Sequence, residues 1–338
     1  MLGCQNRSSD TPDTSAASSN WCAVAEISEN EIVSTAPISF KLSRKRQTTN
    51  TAMKAFFLTA AVTTFVITLL IIYTLVNDAW GFFVNVPKDA LWSLGWFPRR
   101  EFFDIKTLIM GSMMVTGIAM LIAVPIGLGS AIYLSEFARP KVRKVLKPVV
   151  EILSGIPSVV LGYFAISFIN PNLIVRFFDG ANKAFNIAAA GVAVGILTIP
   201  IITSVAEDAL RAVPNALREA SFGLGARRVS TTFRVVFPAG ISGVVAALIL
   251  GMSRAIGETM VVAIAAGAVG GGLFSLDPFQ PGQTMTAAMA ALGFGSDQVA
   301  GSGLAFQSLY FIGFVLFVIT FLLNLIGDRL VRRVREEY

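Results

Sequence analysis

Residues 107–134 read TLIMGSMMVTGIAMLIAVPIGLGSAIYL, a stretch without a single charged side chain. About 20 apolar residues wound as a helix cross the roughly 30 Å hydrocarbon core of a bilayer, where a helix satisfies every backbone polar group internally. The stretch is long enough to span with a tilt or a protruding end. Working outward, comparable apolar runs occupy Ala55–Val76, Val149–Ile169, Asn186–Val205, Ile241–Ala268 and Leu304–Ile326. The fifth of the six is also overlong. Pro157 and Pro200 fall inside the third and fourth, which is tolerable where neighbouring helices re-satisfy the backbone. The expectation is an all-α integral membrane protein of about six transmembrane helices.

Composition agrees. The 338 residues are 54% hydrophobic and 14% charged, against about 25% charged in an ordinary soluble chain. Histidine is absent, which removes imidazole as a general base, proton relay or metal ligand, and with it any Ser/His/Asp nucleophile arrangement. The two cysteines, Cys4 and Cys22, support neither a disulfide framework nor a metal site. Leu2-Gly3-Cys4 lacks the preceding apolar segment that a lipoprotein cleavage box needs.

Lysine and arginine set the orientation, because short cytoplasmic loops are enriched in them. With the N-terminus inside, the cytoplasmic segments 1–54, 135–148, 206–240 and 327–338 hold 6, 5, 5 and 4 basic residues, a total of 20. The external segments 77–106, 170–185 and 269–303 hold 4, 2 and 0, and Arg254 lies within the fifth run. Both termini are therefore expected in the cytoplasm. The sequence pI near 9.5 reflects topology and not nucleic-acid binding.

Residues 1–50 are polar and end in the basic group Lys41, Arg44, Lys45 and Arg46; they are expected to form a disordered cytoplasmic tail, not a cleavable signal. The membrane domain is expected over 51–338. In the external loop 77–106, Trp80, Trp92, Trp96, Phe82, Phe83 and Phe97 suit the headgroup layer as anchors. The loop 269–303 is rich in small residues and carries Asp277 and Asp297; a solvated loop and a docking surface for an external partner both fit. Gly191-x-x-x-Gly195 suits close helix packing.

Two segments carry chemistry. Arg254-Ala255-Ile256-Gly257-Glu258-Thr259 sits within the fifth run, and at 1.5 Å per residue from Ile241 the arginine lies roughly 20 Å in. Ionisable groups at that depth face a bundle interior or an aqueous path. A spacing of four would put Arg254 and Glu258 on one helix face. An arginine fork suits an oxyanion, with the carboxylate neutralising it between turnovers. Ser253 and Thr259 would add hydroxyl donors. A buried ion pair that only fixes packing is the alternative.

The second segment reads Arg218-Glu219-Ala220-Ser221-Phe222-Gly223-Leu224-Gly225 and closes nine residues later on Val235-Val236-Phe237-Pro238. It resembles the Glu-Ala-Ala loop of bacterial ABC-importer permeases, with Glu219 and Ala220 at the acidic-small start, Gly225 at the glycine and Pro238 at the close. Ser221 stands where alanine is more usual. The resemblance implies a coupling helix that docks in a cleft of a separate ATPase, within a coupling loop over 206–240. A glycine turn and a proline would bound that loop.

Arg254-x-x-Gly-Glu-Thr259 resembles the phosphate-specific transport (Pst) permeases, as do Ala131–Glu136 and Glu151–Val160; Met260 and Val261 favour the PstC type over the PstA type. Membership would imply a type I ABC-importer permease bundle in the inner (cytoplasmic) membrane, importing inorganic phosphate. The implied partners are a PstA-like second permease, a PstB-like ATPase dimer and an external PstS-like phosphate-binding protein. No Gly-Lys dipeptide and so no phosphate loop occurs. This chain is thus expected to be no enzyme and to bind no cofactor, with ATP and Mg held by the partner. Permeation of molybdate, sulfate or phosphonate, and a scaffold or sensor role without transport, remain open at this level.

Overall fold

The computed structural model describes residues 44–334 except 94, 179–182, 268–271 and 294–302. The tail expected over 1–50 therefore lies outside the described residues as far as residue 43, as does Asp297. Helix α1 spans Arg44–Asn85, so it begins before residue 51 and runs on through the first part of the loop expected at 77–106. Up to Ile67, the end of the first of two units, its described side chains are all exposed. An apolar helix surface of this kind calls for lipid or another helix against it.

From Thr68 onward the chain packs around three clusters of buried apolar residues. Helix α2, Ile105–Ile132, continues through π-helical turns to Phe137. It starts after Asp104, a fully buried carboxylate that accepts a 2.7 Å hydrogen bond from Thr107 Oγ1 and lies 3.7 Å from Lys106. Helix α3 covers Pro140–Ser154 and buries no side chain. Helix α4 begins at Ser158 and continues, largely with π-helical hydrogen bonding, to Phe177. The third span is thus 158–177 and not 149–169. Val149–Ser154 belongs to the amphipathic α3, whose Lys and Glu residues keep it from burial in lipid, and Pro157 stands before the helix and not within it. Pro171 is the proline inside the span.

Helix α5, Ile187–Ala212, is the central element and buries most of its length, Pro200 included. Asn186 caps it: its Oδ1 accepts from Ala189 N at 2.7 Å, and its Nδ2 donates to Asn170 Oδ1 at 2.7 Å. Asn170 in turn donates to the carbonyls of Lys183 and Ala184. Where α5 crosses α2, a Cβ added at Gly191 would sit 2.7 Å from Ile118, and one at Gly195 would sit 3.0 Å from the Ala119 carbonyl. The small-xxx-small pattern is a backbone contact.

After α5 come two short helices, α6 over Asn215–Gly223 and α7 over Arg228–Ala239. Helix α8, Ile241–Ile256, departs from α7 at 71°. The fifth run is not one helix. It breaks at Gly257–Thr259 and resumes as α9, Met260–Ala265.

Helix α10, Met285–Gly293, lies in the segment expected as an external loop, yet it buries Met285, Thr286, Ala287, Ala288 and Leu292. Its Ala- and Met-rich sequence is apolar enough for the core and too short to cross a bilayer. Gly111 on α2 makes room for its approach, since a Cβ there would meet the Gln283 carbonyl. Helix α11 spans Leu304–Val334. Among the described residues, five helices are long and apolar enough to cross a membrane, and six if α7 with α8 counts as one bent span.

A three-stranded antiparallel sheet adds to the helices, in the order β2–β1–β3, with β1 Gly95–Phe97, β2 Phe102–Phe103 and β3 Gly272–Leu273. It pairs Trp96 with Phe103 and with Gly272. The aromatic set therefore divides. Trp96 and Phe82 are packed inside, with Phe103 edge-on to both rings. Trp80, Trp92 and Phe83 remain exposed, as anchors require.

Candidate functional site

The segment between α5 and α8 is built around one arginine. Arg218 on α6 donates from Nη2 to Glu136 Oε1 at 2.8 Å and to the Leu210 carbonyl at 2.8 Å. Its Nη1 reaches the Val213 carbonyl at 2.6 Å and Asn215 Oδ1 at 3.2 Å, and its Nε lies 3.4 Å from Glu136 Oε2. One guanidinium thus occupies carbonyls left over at the C-terminal end of α5 and clasps a carboxylate from the end of α2. This fixes α6 against the two best-packed helices of the chain.

With α6 anchored by Arg218, part of its surface is left exposed. Glu219 and Ala220 are exposed, and among the described residues no hydrogen bond or ion pair engages the Glu219 carboxylate. Phe222 is half-exposed, and Leu224 is 90% exposed. Gly225 has φ +80°, a left-handed conformation that L side chains adopt only with strain. The turn closes with Ala226 N donating to the Ser221 carbonyl at 3.1 Å. Ser221 Oγ lies 2.9 Å from Thr231 Oγ1, so the serine ties α6 to α7. Pro238 lies in the last turn of α7, and the change of direction comes at Gly240, two residues later.

Beneath this segment, α3 is fastened to α5 by a charged group. Glu207, fully buried, pairs with Arg143 and lies 3.2 Å from Lys147 Nζ, which is also 2.8 Å from Asp208. The hydrogen bond to Asp208 raises the Lys147 pKa above 10.5, with Glu207 adding to the effect and burial opposing it. A raised pKa means that the lysine's stabilising contribution is complete below pH 10.5 and is lost as pH climbs through the folded-state value. Thermal melts of the purified protein should show an alkaline loss of stability that a Lys147→Met variant lacks. Equal alkaline slopes in the two proteins would refute the assignment.

The residues expected to act together in the fifth span are separated. Helix α8 stops at Ile256, so Glu258 does not sit one turn above Arg254, and no ion pair joins them. Arg254 is exposed and has no hydrogen-bond or ion-pair partner among the described residues. Glu258 is 9% exposed, in the break. The break is held from α10: Thr286 Oγ1 donates to the Glu258 carbonyl at 2.8 Å and lies 3.2 Å from Thr284 Oγ1. Ser112 Oγ on α2 accepts from Met285 N at 3.0 Å. Ser253 Oγ donates to Asn324 Oδ1 on α11 at 3.1 Å, and Thr259 Oγ1 turns to the Gly257 carbonyl at 3.3 Å. The inward face of α8 is Val244, Ala247, Gly251 and Ala255, while Leu250 and Arg254 face away. A guanidinium with no partner among the described residues, in a mostly apolar helix, calls for water or another polar group beside it.

Arg218–Glu136 and Glu207–Arg143–Lys147 escape a sequence reading. Each joins residues 60 to 82 positions apart, and the one trace left in the sequence is an acid at the end of an apolar run facing a basic loop.

The family described as "Binding-protein-dependent transport system inner membrane component" matches residues 123–336, more than half of the chain and all of the segments just described from the end of α2 onward. This chain belongs to that family. It is 32% identical over 312 residues, 86% of this chain and 92% of the relative, to the "Phosphate transport system permease protein PstC" of Pasteurella multocida. It is 29% identical over 235 residues, 68% of this chain and 74% of the relative, to the "Phosphate transport system permease protein PstA 1" of Mycobacterium tuberculosis. Among solved structures, a chain of a bacterial alginate ABC transporter in complex with an alginate pentasaccharide-bound periplasmic protein superposes with a TM-score of 0.59. It covers 85% of this chain and 98% of that one at 16% identity. The fold is that of the type I ABC-importer permeases, and the chain is a multi-pass membrane protein and an ABC-transporter permease.

Proposed function

We propose that this ABC-transporter permease imports inorganic phosphate across the cytoplasmic membrane, working with a PstA-like second permease, a PstB-like ATPase dimer and a PstS-like external binding protein. ATP and Mg are held by the ATPase, and this chain contributes the path and the lever. The observation that carries the proposal is Arg254, a permanently charged fork in the fifth span with no carboxylate paired to it among the described residues. An unpaired guanidinium is complementary to a tetrahedral oxyanion, which it can hold bidentately. The similarity to phosphate permeases over most of the chain supports the same substrate. Glu219, Ala220 and Gly225 form the exposed surface for the ATPase, and Pro238 lies in the last turn of α7 before the bend at Gly240. Glu258, Ser253 and Thr259 shape and brace the broken helix.

Molybdate, sulfate and phosphonate share the geometry that an arginine recognises, so the substrate is tested by competition. In vesicles containing the assembled transporter, unlabelled phosphate is expected to suppress uptake of labelled phosphate at concentrations where the other three leave it unchanged. Suppression by molybdate or sulfate at equal concentration would reassign the substrate.

A further inference from the structure

A cavity of about 560 Å³ opens beside α6, and its charged wall is not used by the translocation path described above. Four arginines contribute to it: Arg143 from α3, Arg211 from the last turn of α5, Arg218 from α6 and Arg228 from α7. Two of them are accounted for. Arg143 pairs with Glu207, and Arg218 engages both oxygens of Glu136, the acid in the cavity wall. The other two are not. Arg211 is exposed and makes no hydrogen bond or ion pair among the described residues. Arg228 has the ring of Phe137 beneath it at 5.7 Å and no carboxylate partner among the described residues. Asn215, whose Oδ1 is occupied by Arg218, leaves its Nδ2 as a further donor. A second cavity of about 550 Å³ shares Arg143 and Arg211 and adds Lys144 and Lys147, with Glu151 as its acid.

Four guanidinium groups against the carboxylates of Glu136 and Glu207 leave two positive charges without compensation. Converging like charges repel, and a dianion placed between them relieves the repulsion while accepting charge-assisted hydrogen bonds. We propose that this cavity binds a phosphoryl group, as inorganic phosphate or as the phosphate of a lipid headgroup, with Arg211 and Arg228 as its principal ligands. The volume exceeds that of a bare oxyanion and admits its hydration shell or an organic remainder. Since Asn215 and Arg218 come from α6, an occupant bridges the ATPase-facing helix to α3, α5 and α7 and holds it more firmly against the body.

The inference does not depend on the transported substrate, and its test separates the two sites. The full chain in nanodiscs of phosphatidylcholine is titrated calorimetrically with inorganic phosphate, and in nanodiscs containing phosphatidic acid the retained lipid is counted by native mass spectrometry. The double variant Arg211→Gln/Arg228→Gln is expected to lose affinity for one of these probes by about tenfold or more, as loss of charge-assisted contacts implies. Arg254→Gln, which removes the phosphate ligand proposed for the span, is expected to retain phosphatidic acid as the parent does and to keep the component of the phosphate isotherm that the double variant loses. Loss confined to inorganic phosphate identifies the free ion, and loss confined to phosphatidic acid identifies the headgroup. Equal binding of both probes by the double variant and the parent overturns the proposal, as does binding of neither probe by the parent. A phosphate signal abolished by Arg254→Gln but kept by the double variant also overturns it, by moving the ion to the span. Arg211 and Arg228 are exposed, so folding of the variant is not at risk; the single Arg211→Gln change, expected to weaken binding in the same direction, provides a second reading.

Discussion

Replacing Arg218 by alanine is expected to remove ATP-dependent uptake and to reduce recovery of the ATPase with the purified chain. The guanidinium serves three elements together, through the carboxylate of Glu136, the carbonyls of Leu210 and Val213, and the side chain of Asn215. Glu136 is only 8% exposed. Without its partner it becomes an uncompensated charge in a poorly solvated place, a change that typically costs about 3–5 kcal/mol. The orphaned carbonyls add to the loss. Since α6 fully buries no side chain and packs only Leu217 against the apolar cluster beneath it, apolar packing is a weak substitute for the clasp. Arg218→Lys should recover little, because an ammonium group does not reproduce the fork. The double variant Arg218→Met/Glu136→Leu removes both charges together and should be more stable than Arg218→Ala alone, which distinguishes a buried unpaired charge from a missing contact with the ATPase. If Arg218→Ala were to transport and co-purify normally, the clasp would have no part in coupling.

The second large effect is expected at Arg254. Arg254→Gln keeps the length and hydrogen-bonding capacity of the side chain and removes its charge. Because the group is exposed and makes no hydrogen bond or ion pair among the described residues, folding and assembly should be unaffected, whereas phosphate uptake should fall to background. Loss of one charge-assisted bidentate contact is worth about 1.5–3 kcal/mol, or roughly 10- to 150-fold in affinity, and neutralisation of the path adds to it. Arg254→Lys should keep part of the activity at a raised apparent KM. Uptake by Arg254→Gln at the parental rate would remove this residue from the path.

How much of this was legible in the sequence depends on the range of the interaction. Residues 107–134 declare a span by local composition alone, and Gly225 declares a turn by its place after an amphipathic stretch. Both features are local, and both are found. The third span was displaced because Val149–Ser154 is apolar in windowed composition while Lys144, Lys147 and Glu151 make it one face of a surface helix. The fifth run looked continuous because Gly257, Glu258 and Thr259 interrupt a helix without a proline. Nothing near them in sequence reveals that Thr286 waits to take the freed carbonyl. Helix α10 leaves no distinct signal for a related reason: Ala, Met and Thr at 285–292 satisfy a solvated loop as well as a core helix, and the groove beside Gly111 decides between them. The clasps at Glu136 and Glu207 depend on residues far apart in the chain, and no periodicity encodes them.

The π-helical turns at Tyr133–Phe137, Ala165–Ile174 and Thr232–Val236 have a mechanical consequence once α6 is pinned to α5. A displacement applied at α6 is carried into a helix whose own turns are tightly hydrogen-bonded and enclosed on most sides, so that helix shifts as a rod. Compliance then resides where the backbone ladder already accommodates one extra residue in the turn, because a register of five converts to a register of four by exchanging one bond for another. Two of these turns flank the segments around α6 and the third lies along α4. Under the proposed coupling at α6, strain entering there would have defined joints at which to be released.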